Sequence, residues 1–494
     1  MKKISDMIVL VIGRVLIIAT SVLSIRLLTT CLSPSEVGRY NIILAIIGWF
    51  GLVAINPVGM YVNRKINEWY TEGSLLAYLT TLGKYFLLVA LAGIVCVFMF
   101  KPLFSINMKF LWLMGVVSGG IMFISANSAY ISYINLLGYR IPFVLMTNFT
   151  IWISLLCSWF LVSKISNTAE YWFAGQLIGS FLLLLLSLFF LIKISRHNKV
   201  SVLRKDDFSF RKVFPFAWPL AISTLLYWSH TQGYRFIFQK VAGIEILGFF
   251  VVGFGIGSSI MITFETVFNQ YYQPIFYSEL TGSNRQQKAD AWNRYASAFL
   301  PAIIITMVYV SVNGTLIAKL LTGERFHKVG NIILWGALAE SFRITYSILA
   351  LAAHTELNMT PLIAPGGTGV IVALFGILIF AKLNPFIGVG ASLVAGWFFA
   401  VIHLYINMRQ ILPIRIPWNR IFYSLLLSLP LAIFVLLPFS SITNYLRIFI
   451  FLSITGCYML FTQFILARKW LILPIKLAFI DEFEQRLRYW HNKL

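Results

Sequence analysis

The chain has 494 residues, of which 59% are hydrophobic and 11% charged, whereas soluble domains carry roughly 45–50% apolar and about 25% charged residues. A soluble fold cannot bury this much apolar surface, so the composition excludes a soluble globular protein and predicts repeated crossing of a bilayer. The net charge of +22 would suggest nucleic acid in a soluble protein, but here it indicates basic segments facing anionic lipid headgroups, and no nucleic-acid partner is expected.

About fourteen stretches are apolar for long enough to be membrane-spanning helices, because a helix needs about 20 apolar residues to cross the hydrocarbon core. Backbone groups in lipid must be hydrogen-bonded within their own segment, so the predicted fold class is an all-α polytopic membrane protein. The N-terminal stretch has the charge and apolar core of a signal peptide, but Arg14 interrupts that core, so we interpret it as a retained first span. The predicted spans cover 7–30, 37–62, 76–100, 109–136, 141–163, 170–193, 213–238, 247–272, 294–314, 329–352, 359–381, 386–408, 420–438 and 444–466.

The basic residues are distributed unevenly between the two sides of this predicted topology. With the N-terminus inside, 24 of the 39 Lys and Arg residues fall in inner segments and ten in outer segments. The positive-inside rule therefore predicts that both termini are cytoplasmic. The short outer segments leave little room for an extracytoplasmic catalytic domain, so the chain is not expected to be an enzyme and no catalytic residue is predicted.

Two stretches of the sequence are similar, "RLLTTCLSPSEVGRY" at 26–40 and "GYRFIFQKVAGIEILGFF" at 233–250, and we call them the repeated phrase. Arg26 precedes Gly38 by 12 residues, and Arg235 precedes Gly248 by 13. Six helices return a chain to its starting side, so spans 1–6 and 7–12 are predicted to be pseudo-symmetric repeats of one orientation, which commonly meet at a central substrate site. The predicted domains are an N-terminal six-helix bundle at 1–194, a basic cytoplasmic linker at 195–212, a C-terminal six-helix bundle at 213–410, helices 13 and 14 at 411–466, and an amphipathic cytoplasmic tail at 467–494.

Two glycine pairs inside the predicted spans, Gly115–Gly119 and Gly253–Gly257, have the GxxxG spacing that permits close helix contact. The "GFGIG" around the second pair is not a dinucleotide fingerprint, because no strand precedes it. The chain also has no GxxxxGK[ST] and no HExxH motif. No cofactor or metal is therefore expected, and energy for any transport would come from a gradient such as H⁺ or Na⁺ or from consumption of the substrate outside.

The repeated phrase, the "NPVGMYVNRKI" that closes span two, and the six-plus-six arrangement resemble the Wzx-type polysaccharide repeat-unit (O-antigen) flippases. These belong to the multidrug/oligosaccharidyl-lipid/polysaccharide (MOP) exporter superfamily, which includes the MATE transporters. The resemblance implies passage of an undecaprenyl-diphosphate-linked oligosaccharide from the inner to the outer leaflet of a bacterial cytoplasmic membrane, through a cavity between two helical bundles. A monomeric transport unit in membrane lipid, with a polysaccharide polymerase and a chain-length regulator as partners, is expected.

Arginines inside the spans suit the diphosphate of such a substrate, because guanidinium binds phosphate oxygens bidentately and stays charged. Arg14 is the strongest candidate for a substrate-binding arginine that lines the cavity, because it lies about seven residues or ~10 Å into span one. Arg26 and Arg235 lie near the outer boundary, where long side chains also reach lipid headgroups. Arg343 has Glu340 three positions earlier on the same helix face, so a purely structural ion pair is its alternative role.

Three further residues are candidates for coupling to an ion gradient. Glu265 lies toward the inner end of span eight, followed by Asn269, Gln270 and Gln273, and a carboxylate there can bind a proton or cation. The Glu340 pair with Arg343 would open if substrate phosphate competed for the guanidinium. His230 in span seven would titrate near neutral pH, although a satisfied core histidine is the alternative interpretation.

Three other functions remain open. A MATE-like exporter of cationic molecules needs anionic interior residues, and such proteins generally carry an acid in helix one, where this chain has Arg14 and Arg26. A membrane polysaccharide polymerase or glycosyltransferase usually works on a large outer loop, and the outer segments here are short. A scaffold that has lost transport is the third alternative.

Arg14→Ala is expected to abolish complementation of a flippase-deletion strain while the protein still inserts into the membrane, because the charge that meets the diphosphate is lost. Arg14→Lys is expected to retain part of the activity, since the charge remains without the bidentate geometry. The measurement is surface polysaccharide in the complemented strain, with membrane insertion followed by immunoblot. Full activity of Arg14→Ala would remove this residue from the mechanism.

Overall fold

The computed structural model describes residues 2–99, 110–195, 210–280, 283–355, 360–433 and 444–466, without the side chains of 2–11, 14 and 210. Within these ranges the chain is helical and contains no strand. Fourteen main helical segments lie where the sequence predicts spans, and a short helix, Gly314–Leu321, precedes the tenth. The segments are α1 (Lys2–Cys31), α2 (Pro34–Thr71), α3 (Leu75–Met99), α4 (Phe110–Leu136), α5 (Arg140–Lys164), α6 (Ala169–Ser195), α7 (210–242), α8 (Ile244–Leu280), α9 (Arg285–Val312), α10 (Glu324–Thr355), α11 (Thr360–Phe380), α12 (Pro385–Ile411), α13 (Trp418–Ile433) and α14 (Tyr445–Leu466).

Within the described ranges, eleven of these segments are long enough and apolar enough to cross a membrane. The other three are α1, which contributes the apolar helix Val15–Cys31, α13, and α7, which carries basic residues at both ends. The predicted all-α polytopic membrane fold is confirmed, and the chain is a multi-pass membrane protein. Most of the predicted linker and the whole predicted tail, 196–209 and 467–494, lie outside the described residues.

The chain divides into two compact units. Of the described residues, the first unit takes those in Met1–Val252, Leu321–His327 and Gly369–Gly396. The second takes those in Gly253–Leu320, Lys328–Thr368 and Trp397–Leu494. The boundary along the sequence first falls inside α8, and the predicted division into two six-helix bundles stays a prediction.

Among the described residues of the first unit, three helices contain a π-helical turn: Phe50–Ile55 in α2, Gly120–Ser125 in α4 and Ser229–Gly233 in α7. A π turn inserts one residue into the helical hydrogen-bond ladder and re-aims the side chains around it, and such turns are frequent at functional sites. The turn in α7 contains His230 and lies two residues before Arg235. The sequence analysis did not predict these turns.

The two glycines of the repeated phrase meet in the first unit, at the beginnings of α2 and α8. A Cβ atom on Gly38 would lie 2.2 Å from the carbonyl oxygen of Ile244, and one on Gly248 would lie 1.8 Å from that of Pro34. Each glycine stands four residues after the residue that the other one touches. The contact is therefore reciprocal, and the two helices approach as closely as their backbones permit.

The Gly253–Gly257 pair brings α8 against α10 in the second unit. A Cβ atom on Gly257 would lie 2.2 Å from the carbonyl oxygen of Ile333, and one on Gly336 would lie 2.0 Å from that of Phe254. The close contact that the spacing permits is thus present here. It is not present at Gly115, where a Cβ atom would meet nothing within 4 Å.

Gly248→Ala is expected to lower the thermal midpoint of the detergent-purified protein, because its methyl group has no room beside the Pro34 carbonyl and overpacking costs about 1–3 kcal/mol. Gly255→Ala is the matched control on the same helix, since a Cβ atom there meets nothing within 4 Å. That variant is expected to be neutral or stabilising, because alanine is the better helix former by roughly 0.5–1 kcal/mol. Equal midpoints for the two variants would contradict the close contact.

Candidate functional site

Arg343 lies between two carboxylates in the second unit. Its Nη2 atom pairs with Glu265 of α8, its Nε atom pairs with Glu340 of its own helix α10, and its Nη1 atom donates to the Ser347 hydroxyl at 3.2 Å. The three charged side chains are only 12%, 13% and 9% exposed for Arg343, Glu265 and Glu340 respectively. We call these three residues the ion triad.

The register between α8 and α10 assembles the ion triad. The two helices run parallel, so that Ser258 donates to the Gly336 carbonyl oxygen at 3.4 Å and Glu265 meets Arg343, each pair separated by 78 residues. Glu340 needs no such register, because it stands one helical turn before Arg343. The close glycine contact between the helices therefore positions the second carboxylate.

The charge balance of the ion triad is two potential negative charges for one positive charge. Breaking a buried ion pair by removing one partner is costly, because the remaining charge stays buried without compensation. The sequence analysis assigned Arg343 to substrate binding and both glutamates to coupling, and it paired Glu340 with Arg343, but it did not place Glu265 beside that pair. A phosphate that reached Arg343 would compete with the two carboxylates for its guanidinium.

Arg235 has a different environment, on α7 in the first unit. Its Nη1 atom donates to the carbonyl oxygen of Asn41 on α2 at 3.1 Å, and its guanidinium carbon lies 6.0 Å from the centre of the Tyr234 ring. Trp228 fixes the same pair of helices by donating to the Ala45 carbonyl oxygen at 2.9 Å. Among the described residues no carboxylate pairs with Arg235, and its buried Nε atom has no acceptor.

The other predicted site residues, Arg14, Arg26 and His230, belong to the first unit. Arg26 is half-buried on α1, and the side chain of Arg14 on the same helix lies outside what the structure describes. His230 is 3% exposed, and its Nε2 atom lies 3.2 Å from the carbonyl oxygen of Leu393 on α12. This buried, hydrogen-bonded ring fits the core-histidine interpretation, and a coupling role for His230 stays a prediction.

An open groove of about 500 Å³ begins at the ion triad and follows one face of α8. Its lining contains a carboxylate, three amides, a threonine hydroxyl and a phenol. The sequence analysis noted the amides after Glu265 but did not predict that they share a groove. The lining residues are Glu265, Thr266, Asn269, Gln270, Gln273, Pro274 and Tyr277.

Comparison with known proteins shows the fold. No family model and no curated protein matches the chain in sequence. The lipid II flippase MurJ, solved in an inward closed conformation, superposes with a TM-score of 0.71 at 16% identity over 95% of this chain and 100% of that one. An inward-facing multidrug resistance MATE transporter of the MOP superfamily superposes with a TM-score of 0.60 at 11% identity over 78% of this chain and 93% of that one.

The chain therefore has the fold of MOP superfamily transporters, as the sequence resemblance predicts. Both neighbours are named as transport proteins, one a flippase and the other a transporter. At sequence identities of 16% and 11%, these comparisons show that the fold is shared, and they do not show which substrate this chain transports.

Arg343→Leu is expected to destabilise the protein by about 3–5 kcal/mol, because it leaves two buried carboxylates side by side without a counter-charge. The triple variant Arg343→Leu/Glu265→Gln/Glu340→Gln is expected to recover most of this loss, since the amides carry no charge. The free energy of unfolding is measured by chemical denaturation in detergent micelles.

The matched control is Lys65→Ala, which breaks an ion pair with Glu68 whose side chains are 35% and 45% exposed. A pair this exposed contributes about 0–1 kcal/mol, so the control should stay within that range. A stable Arg343→Leu protein, or a triple variant no more stable than the single one, would contradict the buried triad.

Proposed function

We propose that the protein is a flippase that moves undecaprenyl-diphosphate-linked oligosaccharide repeat units from the inner to the outer leaflet of a bacterial cytoplasmic membrane by alternating access. The fold shared with a lipid II flippase supports this proposal, as does a first helix that carries Arg14 and Arg26 where a cation exporter generally carries an acid. The transport serves surface polysaccharide biosynthesis, with both termini in the cytoplasm. A polymerase and a chain-length regulator act on the exported units, and the transport unit is a monomer.

The single observation that carries the proposal is the uncompensated charge of Arg235. Arg343 has two carboxylate partners, whereas Arg235 has only a backbone carbonyl and an aromatic ring among the described residues. A charge held within a membrane protein is costly without an opposite charge. The diphosphate of the substrate supplies that opposite charge, and Arg14 and Arg26 on α1 contact the same group.

Coupling to a gradient of H⁺ or Na⁺ is proposed to use the ion triad. One guanidinium cannot neutralise both Glu265 and Glu340, so one negative charge is available to a proton or a sodium ion. When substrate phosphate competes for Arg343, a carboxylate is released and takes up the ion. His230 is the third coupling candidate, although its ring is already hydrogen-bonded to the Leu393 carbonyl.

The test is transport in proteoliposomes that hold undecaprenyl-diphosphate-linked oligosaccharide, measured as the fraction that a lectin can reach at the opposite leaflet. The unaltered protein is expected to equilibrate the lipid between leaflets. Arg235→Gln is expected to slow transport at least tenfold, which corresponds to about 1.4 kcal/mol of lost substrate stabilisation. Arg235→Lys is expected to keep part of the rate, because it keeps the charge.

The matched control is Lys240→Gln, which removes a positive charge from an exposed position five residues further along α7. It should transport at close to the normal rate, since the proposal assigns the effect to Arg235 and not to the general charge of this helix. Export of an organic cation such as ethidium, without movement of the lipid, would overturn the proposal in favour of a MATE-like exporter. Elongation of the oligosaccharide would instead identify a polymerase.

A further inference from the structure

Two unlike faces follow α8 between Phe264 and Tyr277. One face is aromatic and lines an apolar groove of about 400 Å³ together with α9 and α14, through residues such as Phe268, Pro301 and Phe464. The other face is the polar one described above, which lines the groove that begins at the ion triad. A single stretch of helix therefore offers an apolar surface and a polar surface side by side.

The polar face has hydrogen-bonding groups that the protein itself leaves unused. Asn269 accepts a hydrogen bond from the Tyr295 hydroxyl at 2.6 Å through its Oδ1 atom, which leaves its NH₂ group as a donor. Gln270 and Gln273 make no hydrogen bond within the described part of the chain. Each of these amides can both donate and accept, so the groove can satisfy a ligand that does the same.

Glu265 adds a fixed acceptor at the head of the groove. Its Oε2 atom is held by Arg343, and among the described residues its Oε1 atom has no donor. At the other end, Tyr277 is 41% exposed, and its hydroxyl lies 3.4 Å from Nδ1 of His354. The groove thus runs from a carboxylate oxygen, past three amides, to an accessible aromatic ring.

The charge of this groove selects among ligand classes. A phosphate would meet the Glu265 carboxylate and neutral amides, so the groove does not suit an anion. An organic cation would reach Glu265 only beside the Arg343 guanidinium that already pairs with it, so repulsion between like charges opposes its binding. A polyol fits, because its neighbouring hydroxyl groups both donate and accept, and its apolar ring face can stack on Tyr277. The volume of about 500 Å³ is in the range of small-molecule sites.

We propose that the polar face of α8, from Glu265 to Tyr277, is a saccharide-binding subsite that holds the hydroxyl groups of the oligosaccharide head group. This inference rests on the proposed function and adds to it a second contact region, distinct from the arginines that meet the diphosphate. The α8 helix has 37 residues, or about 55 Å, which exceeds the hydrocarbon thickness of about 30 Å. Its polar C-terminal part can therefore reach the water at the inner membrane surface, where the sugars of the substrate lie before transport.

The test compares two probes that differ only in the sugar: undecaprenyl diphosphate, and the same lipid carrying di-N-acetylchitobiose. Binding to the full-length protein in lipid nanodiscs is measured by microscale thermophoresis. The unaltered protein is expected to bind the glycosylated lipid about tenfold more tightly than the bare lipid. Gln270→Leu/Gln273→Leu is expected to reduce that preference to threefold or less, while affinity for the bare lipid stays within twofold.

Leucine suits this double substitution because it has a similar length, favours helix and breaks no hydrogen bond within the described residues. Gln286→Leu is the matched control, because it makes the same change at an exposed position on α9 where only a bond to Asp290 is lost. It should keep the full preference for the glycosylated lipid. Thermal midpoints of all variants in the same nanodiscs report whether the fold is retained.

The outcomes separate this subsite from the proposed function. Binding of both lipids with equal affinity by the unaltered protein would overturn the subsite alone, and so would a double variant that keeps the full preference. Failure to bind either lipid would overturn the proposed function, and the subsite with it.

Discussion

The cost of keeping charge and unpaired polar groups out of water is the constraint on which this structure depends. A bilayer offers no hydrogen bonds to the chain, so each polar group in a span must find its partner within the protein or meet a ligand. Arg343 is paired with two carboxylates and a hydroxyl, and the His230 ring is hydrogen-bonded to a backbone carbonyl. Arg235 and the amides of α8 have hydrogen-bonding groups without a partner among the described residues, which is why they are the candidates for substrate contact.

The helix α8 connects the features that bear on function. Its first turn approaches Pro34 through Gly248, its next turns lie against α10 through Gly253 and Gly257, and its later turns carry Glu265 and the polar face. Small residues come first and functional side chains follow, on one continuous helix. The packing of the glycines thus sets the register in which the charged groups meet, and a shift of one turn between α8 and α10 would separate Glu265 from Arg343.

The sequence predicted those features that depend on spacing within one segment. Apolar length gave the positions of the helices, the GxxxG spacing predicted the close approach at Gly253 and Gly257, and a three-residue spacing predicted the Glu340–Arg343 pair. The second carboxylate, Glu265, could not be assigned to that pair, because 78 residues separate it from Arg343 and only the packing of α8 on α10 sets their register. The acceptor of Arg235 is a backbone carbonyl, which residue types do not reveal, and the π turns have no sequence signal of their own.

The reciprocal contact of Gly38 and Gly248 has the form of an isologous interface, in which each partner offers the same surface to the other. Such interfaces ordinarily join two identical subunits across a two-fold axis. Here both sides of the contact lie in one chain, so each side is encoded separately. A change beside one glycine is therefore not repeated beside the other, and the surroundings of the two glycines are free to differ.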